Sequence, residues 1–367
     1  MKRVYSRRAG GRGFTLIEVL TATAILSVLV LVSVSVIGTM QRGYAQTKNK
    51  VEQFREARIA FETISRHLSQ ATLAPYWDYY YSQTGSNVPP AGEPVAPSAY
   101  VRRSDLHFIS GPAGDLLEGV LSRKETTGHA VFFQAPLGLT QNGASLGSLL
   151  NARGYAIQLL SDEADRPPFI HSGHVSFKKR WRLVEFRPPA EKGGNSTGWN
   201  AVFERPSTWF RDGLGDARRV VADNILLLLF SPQLAEGEGV SRSDAVSIAP
   251  RYHYNSRDAD NSTSVVDSLR LEQDGTVRQG TQHLLPPLIR VTLVAADETS
   301  VRAWTERHRT EELDLLSEAG VRFDEAEQYH QNMAAVEAYL QDQKIQYHTF
   351  TALVSLRNAR WDSQPRR

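Results

Sequence analysis

An apolar segment of membrane length near the amino terminus constrains this sequence more than any other feature. Residues 14–38 carry a single formal charge, Glu18, and about 20 helical residues are enough to cross the hydrocarbon core of a bilayer. Five basic residues and no acidic residue precede the segment: Lys2, Arg3, Arg7, Arg8 and Arg12. Because positive charge beside a first span stays cytoplasmic, we expect everything after about Met40 to lie on the far side of the membrane.

The overall charge and the cysteine content exclude several classes of function. The formal net charge of +2 comes from the basic leader, and the rest of the chain is weakly acidic, so nucleic-acid binding is not indicated. Cysteine is absent, which excludes disulfides, thiolate metal sites and cysteine nucleophiles. No Walker A or G-x-G-x-x-G sequence occurs, so a nucleotide enzyme is not supported.

Two simpler readings of the apolar segment do not explain Glu18. A cleaved secretory signal has a shorter apolar region and a small-residue cleavage site after it, whereas no A-x-A-like site precedes Gln41 here. A plain membrane anchor explains the length, but a carboxylate at mid-bilayer costs about 2–3 kcal/mol on insertion scales and usually marks a function or a partner.

The residues Gly13-Phe14-Thr15-Leu16-Ile17-Glu18 resemble the type IV prepilin signal. The resemblance implies that prepilin peptidase, a membrane enzyme, cuts after Gly13 and that the new amino-terminal Phe14 is N-methylated. It also implies that Glu18 meets the amino group of a neighbouring subunit during assembly. A buried amine and a buried carboxylate compensate each other when paired, and each is costly alone.

An amphipathic helix is predicted to continue the membrane segment. One apolar stripe with helical spacing extends over Val51, Phe54, Ala57, Phe61, Ile64, Leu68 and Ala71. The pattern divides the chain into a leader (1–13), a transmembrane helix (14–40), an amphipathic helix (41–74) and a globular head on the far, periplasmic side (75–367).

The segment after this helix is rich in aromatic residues. The stretch from Arg55 to Tyr81, REARIAFETISRHLSQATLAPYWDYYY, resembles the prepilin-type proteins called Verru_Chthon cassette protein C, as does the closing YHTFTALVSLRNARW. More distantly, the chain resembles the J-type minor pseudopilin of type II secretion. Neither resemblance supplies a catalytic residue. The aromatic cluster, with Tyr76, Trp77 and Tyr79, is either a ligand platform or packing at a helix end.

The head is predicted to be α+β, with a mainly antiparallel sheet packed on the long helix and with carboxyl-terminal helices. We predict strands at 106–110, 129–134, 175–186, 220–231, 288–295 and 349–357. The central basic residues of the third strand suggest that it faces solvent, and the apolar run at 224–230 suggests a central strand. Helices are predicted at 298–318 and 324–343, with Gly320 as a C-cap between them.

Two groups of residues have the composition of chemical sites. Gly143–Gly147 fits G-x-S-x-G around Ser145, but a loop separates it from the preceding strand, whereas a nucleophile elbow follows its strand directly. His171 and His174 offer two zinc ligands, with Asp162 and Glu185 available by residue type alone. Solvated side chains explain these residues more simply.

A calcium site in the head is the remaining cofactor hypothesis. Asp258 and Asp260 lie in an oxygen-rich loop that supplies part of a calcium shell, although it lacks the glycine and the glutamate of an EF-hand. A turn built on Asp and Asn side chains is the alternative. No other cofactor is expected.

The sequence therefore predicts a structural pilin-like subunit rather than an enzyme. Its expected partners are the lipid bilayer, prepilin peptidase, inner-membrane assembly machinery and other pilin-like subunits through the amino-terminal helix. We expect it in the bacterial inner membrane, or in a filament after assembly, and its large head favours a minor subunit. The alternative is a membrane-anchored periplasmic binding module that presents the aromatic or the acidic loop to a ligand.

Overall fold

The structure is a computed structural model that describes most of the chain. The described residues are 15–92, 94–138, 149–163, 177–188, 205–212, 218–234, 248–258, 272–273, 277–310 and 312–359. The chain divides into two compact units, Met1–Glu52 and Gln53–Arg367. They are described separately.

The described part of the first unit is the amino-terminal part of one long helix, and Leu16–Gly38 gives it an apolar surface. Helix α1 begins at Leu16 and ends at Ser69, and its part up to Glu52 lies in this unit. Leu16–Gly38 is long and apolar enough to cross a membrane, and none of its described side chains is buried. The predicted transmembrane helix therefore has the required length and surface.

The second unit contains the carboxyl-terminal part of α1 and the globular head. Its strands are β1 (Tyr76–Tyr80), β2 (Ala99–Arg103), β3 (Ile109–Pro112), β4 (Thr126–Pro136), β5 (Leu150–Ser161), β6 (Lys179–Phe186), β7 (Arg218–Asp223), β8 (Ile225–Gln233), β9 (Tyr254–Asn255), β10 (Glu272–Gln273), β11 (Val277–Arg278), β12 (Leu288–Ala296) and β13 (Tyr347–Ser355). Its helices are α2 (Ala113–Leu116), α3 (Trp209–Asp212), α4 (Glu298–His308), α5 (Leu315–Glu318), a 3₁₀ turn at Ala326–Gln328 and α6 (Tyr329–Asp342).

These strands form two larger antiparallel sheets and two hairpins. The six-stranded sheet has the order β7-β6-β5-β4-β3-β9, and the three-stranded sheet has the order β13-β12-β8. The pairs β1–β2 and β10–β11 stand apart from them. With carboxyl-terminal helices beside the sheets, the head has the predicted pilin-like α+β arrangement.

The apolar stripe of α1 packs on both large sheets within the second unit. Ala57, Phe61, Ile64 and Leu68 are buried, which confirms the predicted stripe from Ala57 onward. The ring of Phe61 stacks on Phe350 of β13 at 5.8 Å. Further along the helix, His67 contacts β5 of the six-stranded sheet. The helix thus connects the two sheets by burying one face against each.

The two sheets approach most closely where β4 crosses β8. Gly128 has φ +66°, and a Cβ there would lie 2.5 Å from the carbonyl oxygen of Leu228. The neighbouring His129 is buried, and its Nδ1 accepts a hydrogen bond from the N–H of Phe230 at 3.2 Å. A side chain of one sheet therefore satisfies an edge amide of the other, as a buried polar group requires.

The predicted strand at 220–231 is two strands. Asn224 adopts φ +56° and separates β7 from β8, so the chain leaves one sheet and enters the other at this residue. The apolar run at 224–230 is buried throughout β8, although β12 is the central strand of that sheet. The burial comes from sheet-on-sheet packing rather than from a central position.

The prediction of a solvent-facing strand at 175–186 is wrong for its described part. Six of the eight residues of β6 are buried. Arg182 lies inside because its Nε is 3.1 Å from Oδ1 of Asp223, and Arg180 reaches Glu298 at 2.6 Å. Ion pairs, which the strand pattern does not reveal, compensate the burial of these charges.

The carboxyl-terminal helices are shorter than predicted. Arg309, in the left-handed region at φ +53°, ends α4, so the predicted helix at 298–318 is the two helices α4 and α5. Asp297 begins α4 by accepting a hydrogen bond from the N–H of Ser300. Gly320 has φ +65° just after α5, as expected of a residue that ends a helix.

Candidate functional site

The first turn of α1 is closed by a reciprocal pair of side chains, Thr15 and Glu18. Oε2 of Glu18 accepts hydrogen bonds from the N–H of Thr15 at 3.0 Å and from its hydroxyl at 2.9 Å. In return, the hydroxyl oxygen of Thr15 accepts a bond from the N–H of Glu18 at 3.3 Å. This is a capping box, which satisfies amides that the first helical turn leaves without partners.

Hydroxyl groups along the apolar part of α1 are bonded within the helix. The hydroxyls of Thr21, Ser27 and Ser33 donate to carbonyl oxygens four residues earlier, at 2.9, 2.7 and 2.8 Å. In hydrocarbon, polar groups must find partners inside their own segment. The surface of this helix therefore suits lipid or other apolar helices, with Glu18 as its one formal charge.

The two predicted processing residues precede this turn. Gly13 and Phe14 lie outside the described residues. The proposed processing there, and the assembly role of Glu18, therefore remain predictions. The capping box gives Glu18 a second, intrachain role that the sequence analysis did not include. The signal for it was present as Thr15 three residues before Glu18.

The aromatic segment forms the hairpin β1–β2 instead of a simple helix end. Trp77 and Tyr79 lie on one face of β1, and Tyr100 is paired with Tyr79 across the hairpin. These three side chains are 54%, 49% and 60% exposed, and the rings of Tyr79 and Tyr100 are 5.4 Å apart. On the other face, the hydroxyl of Tyr76 donates to Asp105 at 3.3 Å. The structure thus brings Trp77 and Tyr79 onto one open surface and directs Tyr76 elsewhere.

One segment, residues 279–283, connects this hairpin to Asp258 of the acidic loop. Gln279 exchanges two hydrogen bonds with the backbone of Arg102 on β2, both at 2.7 Å. On the opposite side, the hydroxyl of Thr281 donates to the carbonyl oxygen of Asp258 at 3.3 Å. The two loops singled out in the sequence are distant in the chain, yet they lie on either side of the same short segment.

Of the two proposed calcium ligands, Asp258 and Asp260, the structure describes only Asp258. Asp258 is exposed, and its N–H donates to Asn255 at 3.0 Å, as in a turn. Asp260 lies outside the described residues. Among the described residues, no group of three or more His, Cys, Asp or Glu side chains is arranged to hold a metal. Calcium binding by this loop stays a prediction.

A cleft of about 400 Å³ lies beside Asp258, with His107 and Arg257 in its lining. Nδ1 of His107 accepts from the indole N–H of Trp209 at 3.0 Å, so its Nε2 donates to Asn255 at 2.7 Å. Burial lowers the pKa of His107 to about 3. With both nitrogens engaged, this neutral imidazole holds the cleft wall together.

A buried polar cluster under α1 was missed by the sequence analysis. The hydroxyl of Tyr155 on β5 donates to Glu185 on β6 at 2.9 Å, and Nδ1 of His67 lies 2.5 Å from the same hydroxyl. Because the hydroxyl hydrogen of Tyr155 is donated to Glu185, the Nδ1–H of His67 donates a hydrogen bond to the oxygen of that hydroxyl. Burial, assisted by Arg153, lowers the pKa of His67 to about 4.

The alternative chemical sites are not assembled by the described residues. Ser145, His171 and His174 lie outside them. Glu185, considered as a zinc ligand by type, instead accepts from Tyr155 and lies 3.3 Å from Nη1 of Arg153. The carboxylate is therefore committed to the contact between α1 and the sheet.

Comparison with known proteins supports the amino-terminal site. Residues 8–34 match the family described as Prokaryotic N-terminal methylation motif. None of the curated proteins and none of the solved structures compared with the chain matches it. The matched region contains Gly13, Phe14, the capping box and most of the apolar helix. The chain thus carries a prepilin-type cleavage and methylation motif, which implies a pilin-like or pseudopilin-like substrate of prepilin peptidase and fits a single-pass membrane-anchored protein.

Proposed function

We propose that this protein is a minor, structural pilin-like subunit without enzymatic activity. Prepilin peptidase removes residues 1–13 on the cytoplasmic side, Phe14 is N-methylated, and the processed helix packs into a filament like a type IV pilus or a type II secretion pseudopilus. The observation that carries the proposal is the methylation motif at 8–34 on an apolar helix with one carboxylate. The large head, difficult to repeat along a packed fibre, favours a minor subunit.

Glu18 is the proposed assembly contact. Its carboxylate is held at the start of α1 by Thr15 through Oε2, while the new amino terminus of a neighbouring subunit brings a positive charge. The paired charges enter an apolar environment at lower cost than either charge alone. The resemblance to Verru_Chthon cassette protein C and to the J-type pseudopilin supports the same class of assembly.

The processing step is tested by mass spectrometry of the amino-terminal peptide from membrane-extracted protein. We expect a chain beginning at N-methylated Phe14, and an unprocessed chain in cells without prepilin peptidase. Glu18→Gln removes the charge and keeps the shape, so it should leave cleavage intact and reduce recovery in sheared filaments. A chain that retains Met1–Gly13 beside an active peptidase would contradict the proposal.

A second candidate function is a membrane-anchored binding module. The exposed aromatic face of the β1–β2 hairpin supports it, because neighbouring exposed aromatic rings are suited to bind flat apolar surfaces of a ligand. We would test cosedimentation of the detergent-solubilised full chain with purified peptidoglycan sacculi. Trp77→Ala and Tyr79→Ala should weaken binding, whereas Tyr76→Ala, on the opposite face, should not. Equal binding by all three variants would argue against this function.

A further inference from the structure

Positive charge is concentrated where the last turn of α1 lies on the six-stranded sheet. His67 of α1 contacts the hydroxyl of Tyr155 on β5, and Tyr155 is the direct partner of Glu185 on β6. Arg153 and Arg187 lie two residues away from these partners along their strands and therefore on the same face of the sheet. The register of β5 with β6, continued by one residue, places the two arginines opposite each other, which is unfavourable for like charges.

Arg153 forms the buried side of this cluster and is only partly satisfied. Its side chain is 4% exposed, and its Nη1 lies 3.3 Å from Oε1 of Glu185. Its Nε has no hydrogen-bond partner among the described residues. The same oxygen of Glu185 also accepts from Tyr155. Because one carboxylate balances only one guanidinium group, the cluster has fewer acceptors and negative charges than its cations require.

Two further guanidinium groups, those of Arg66 and Arg187, have no counter-charge among the described residues. Neither side chain forms an ion pair or a hydrogen bond with them. Arg66 is exposed, and Arg187 is half-buried. Both lie near His67, because their charges lower its pKa further after the larger effects of burial and of Arg153. The side of the cluster that is open to solvent therefore carries two uncompensated positive charges.

The imidazole of His67 adds an acceptor to these donors. Its Nδ1–H donates to the hydroxyl oxygen of Tyr155, whose hydrogen is donated to Glu185. In the neutral ring, Nε2 therefore carries the lone pair. No described residue bonds to Nε2, and the His67 side chain is 15% exposed. Two guanidinium groups without partners thus lie beside one nitrogen that can only accept a hydrogen bond.

We propose that Arg66, Arg187 and Nε2 of His67 bind inorganic phosphate. Guanidinium groups bind phosphate oxygens through paired N–H donors, and two positive charges match a dianion. At about pH 8 inorganic phosphate keeps one hydroxyl hydrogen, which Nε2 accepts, whereas a phosphate monoester, with a second pKa of about 6, has lost its own. Sulfate has the same shape and charge but no hydrogen. The site is therefore expected to select free phosphate over both.

Isothermal titration calorimetry of the detergent-solubilised full chain tests this selection at about pH 8 and constant ionic strength. The ligands are sodium phosphate, sodium sulfate and glycerol 3-phosphate. We expect saturable binding of phosphate and affinities for the other two that are lower by about tenfold or more, a change of about 1.4 kcal/mol. Arg66→Gln and Arg187→Gln each remove one charge and should weaken phosphate binding by a similar factor. Arg66 is exposed, so its variant should fold as the wild type does.

Two further variants separate the site from a general effect of charge. Arg58→Gln is the matched control, because Arg58 lies earlier on the same helix and is paired with Glu62 at 2.9 Å; its phosphate affinity should equal that of the wild type. His67→Asn keeps an N–H near the position of Nδ1 but does not extend to that of Nε2. It should therefore bind phosphate and sulfate equally.

Three results would overturn the proposal: no phosphate binding by the folded wild type, equal wild-type affinities for phosphate and sulfate, or a loss in Arg58→Gln as large as that in Arg66→Gln. Glycerol 3-phosphate bound as tightly as phosphate would overturn the assignment to the free ion. All of the proposed residues lie in the second unit. Failure of this proposal would therefore leave the amino-terminal mass measurement unaffected.

Discussion

The ring of Phe132 on β4 occupies the space that a side chain at Gly154 on β5 would need. The two residues are direct partners across the strands, and a Cβ at Gly154 would lie 2.2 Å from Cδ1 of Phe132. Phe132 also contacts Phe186 and Phe210 at 6.1 and 5.2 Å. The missing side chain at Gly154 thus allows an aromatic cluster to form in the middle of the six-stranded sheet.

Gly154→Ala should destabilise the head by about 1–3 kcal/mol, because the added methyl overpacks a core whose neighbours hold the Phe132 ring in place. The measurement is the free energy of unfolding in urea. Gly114→Ala is the control, since its Cβ would meet only the flexible side chain of Arg123 at 3.4 Å. Adding Phe132→Leu should recover part of the loss at Gly154. Equal stabilities for the wild type and Gly154→Ala would contradict the packing argument.

Gly128→Ala should destabilise the protein by at least about 2 kcal/mol. A non-glycine residue at positive φ costs about 1–2 kcal/mol, and the new Cβ would also collide with the carbonyl oxygen of Leu228, which is backbone and cannot rotate away. Urea unfolding followed by tryptophan fluorescence measures the effect. Gly85→Ala, at φ +62° with open space around it, separates the conformational cost from the collision. A loss no greater than that of Gly85→Ala would exclude the collision.

Tyr155→Phe should cost about 1–3 kcal/mol, because it leaves Glu185 and His67 without their shared buried partner. The expected result is a lower unfolding midpoint and faster amide exchange in the last turns of α1. Tyr100→Phe, at a 60% exposed residue of the hairpin, serves as the control and should change stability little. Unaltered exchange in α1 would show that the cluster does not hold the helix.

Stability should fall as the pH decreases from about 6.5 to 4. Burial lowers the pKa of His67 and of His129 to about 4 and that of His107 to about 3, below the usual value near 6.5. In this window the unfolded chain binds more protons than the folded chain. The free energy of unfolding therefore decreases as the pH falls.

Urea unfolding at pH 7, 6, 5 and 4.5 measures this dependence. His67→Asn keeps an N–H near the position of Nδ1 but does not titrate, so it should make the dependence less steep. A constant unfolding free energy across the series would show that these histidines are not buried in their neutral form. A dependence unaffected by His67→Asn would show the same for His67.

Thr15→Val should destabilise the first turn of α1, although the valine side chain has almost the same shape as threonine. The hydroxyl lost in this variant both donates to Glu18 and accepts from its N–H, and a lost N-cap costs about 1 kcal/mol. Amide exchange over residues 16–21 in detergent should become faster. Thr15→Ser, which retains the hydroxyl, should behave as the wild type. Identical exchange in Thr15→Val and Thr15→Ser would contradict the capping role.

Local patterns predicted those elements whose physical cause is local. The membrane-length helix follows from an apolar run, and the buried stripe through Ala57, Phe61, Ile64 and Leu68 follows from helical spacing. The strand β12 and the turn at Gly320 were found for the same reason. The hairpin β1–β2 was not predicted, since its aromatic residues were interpreted as either a ligand platform or packing at a helix end.

Burial and partnership between distant residues required the tertiary structure. The basic residues Arg180 and Arg182 suggested an exposed strand, yet their acidic partners, Asp223 and Glu298, arrive from other elements. Nothing near His67 in the sequence indicates Tyr155 or Glu185. The division of β7 from β8 at Asn224 also depends on which sheet each part joins.

By itself, the sequence determined a methylation motif followed by an apolar helix, because composition, spacing and order of residues are sufficient for both. Tertiary structure decided which side chains meet. It placed the aromatic hairpin and Asp258 on either side of one segment and buried the His67, Tyr155 and Glu185 side chains together under α1. These outcomes depend on contacts between residues that are distant in the chain, such as His67 with Tyr155, 88 residues apart, and Arg102 with Gln279, 177 residues apart. No local pattern of residues indicates which distant side chain will be the partner.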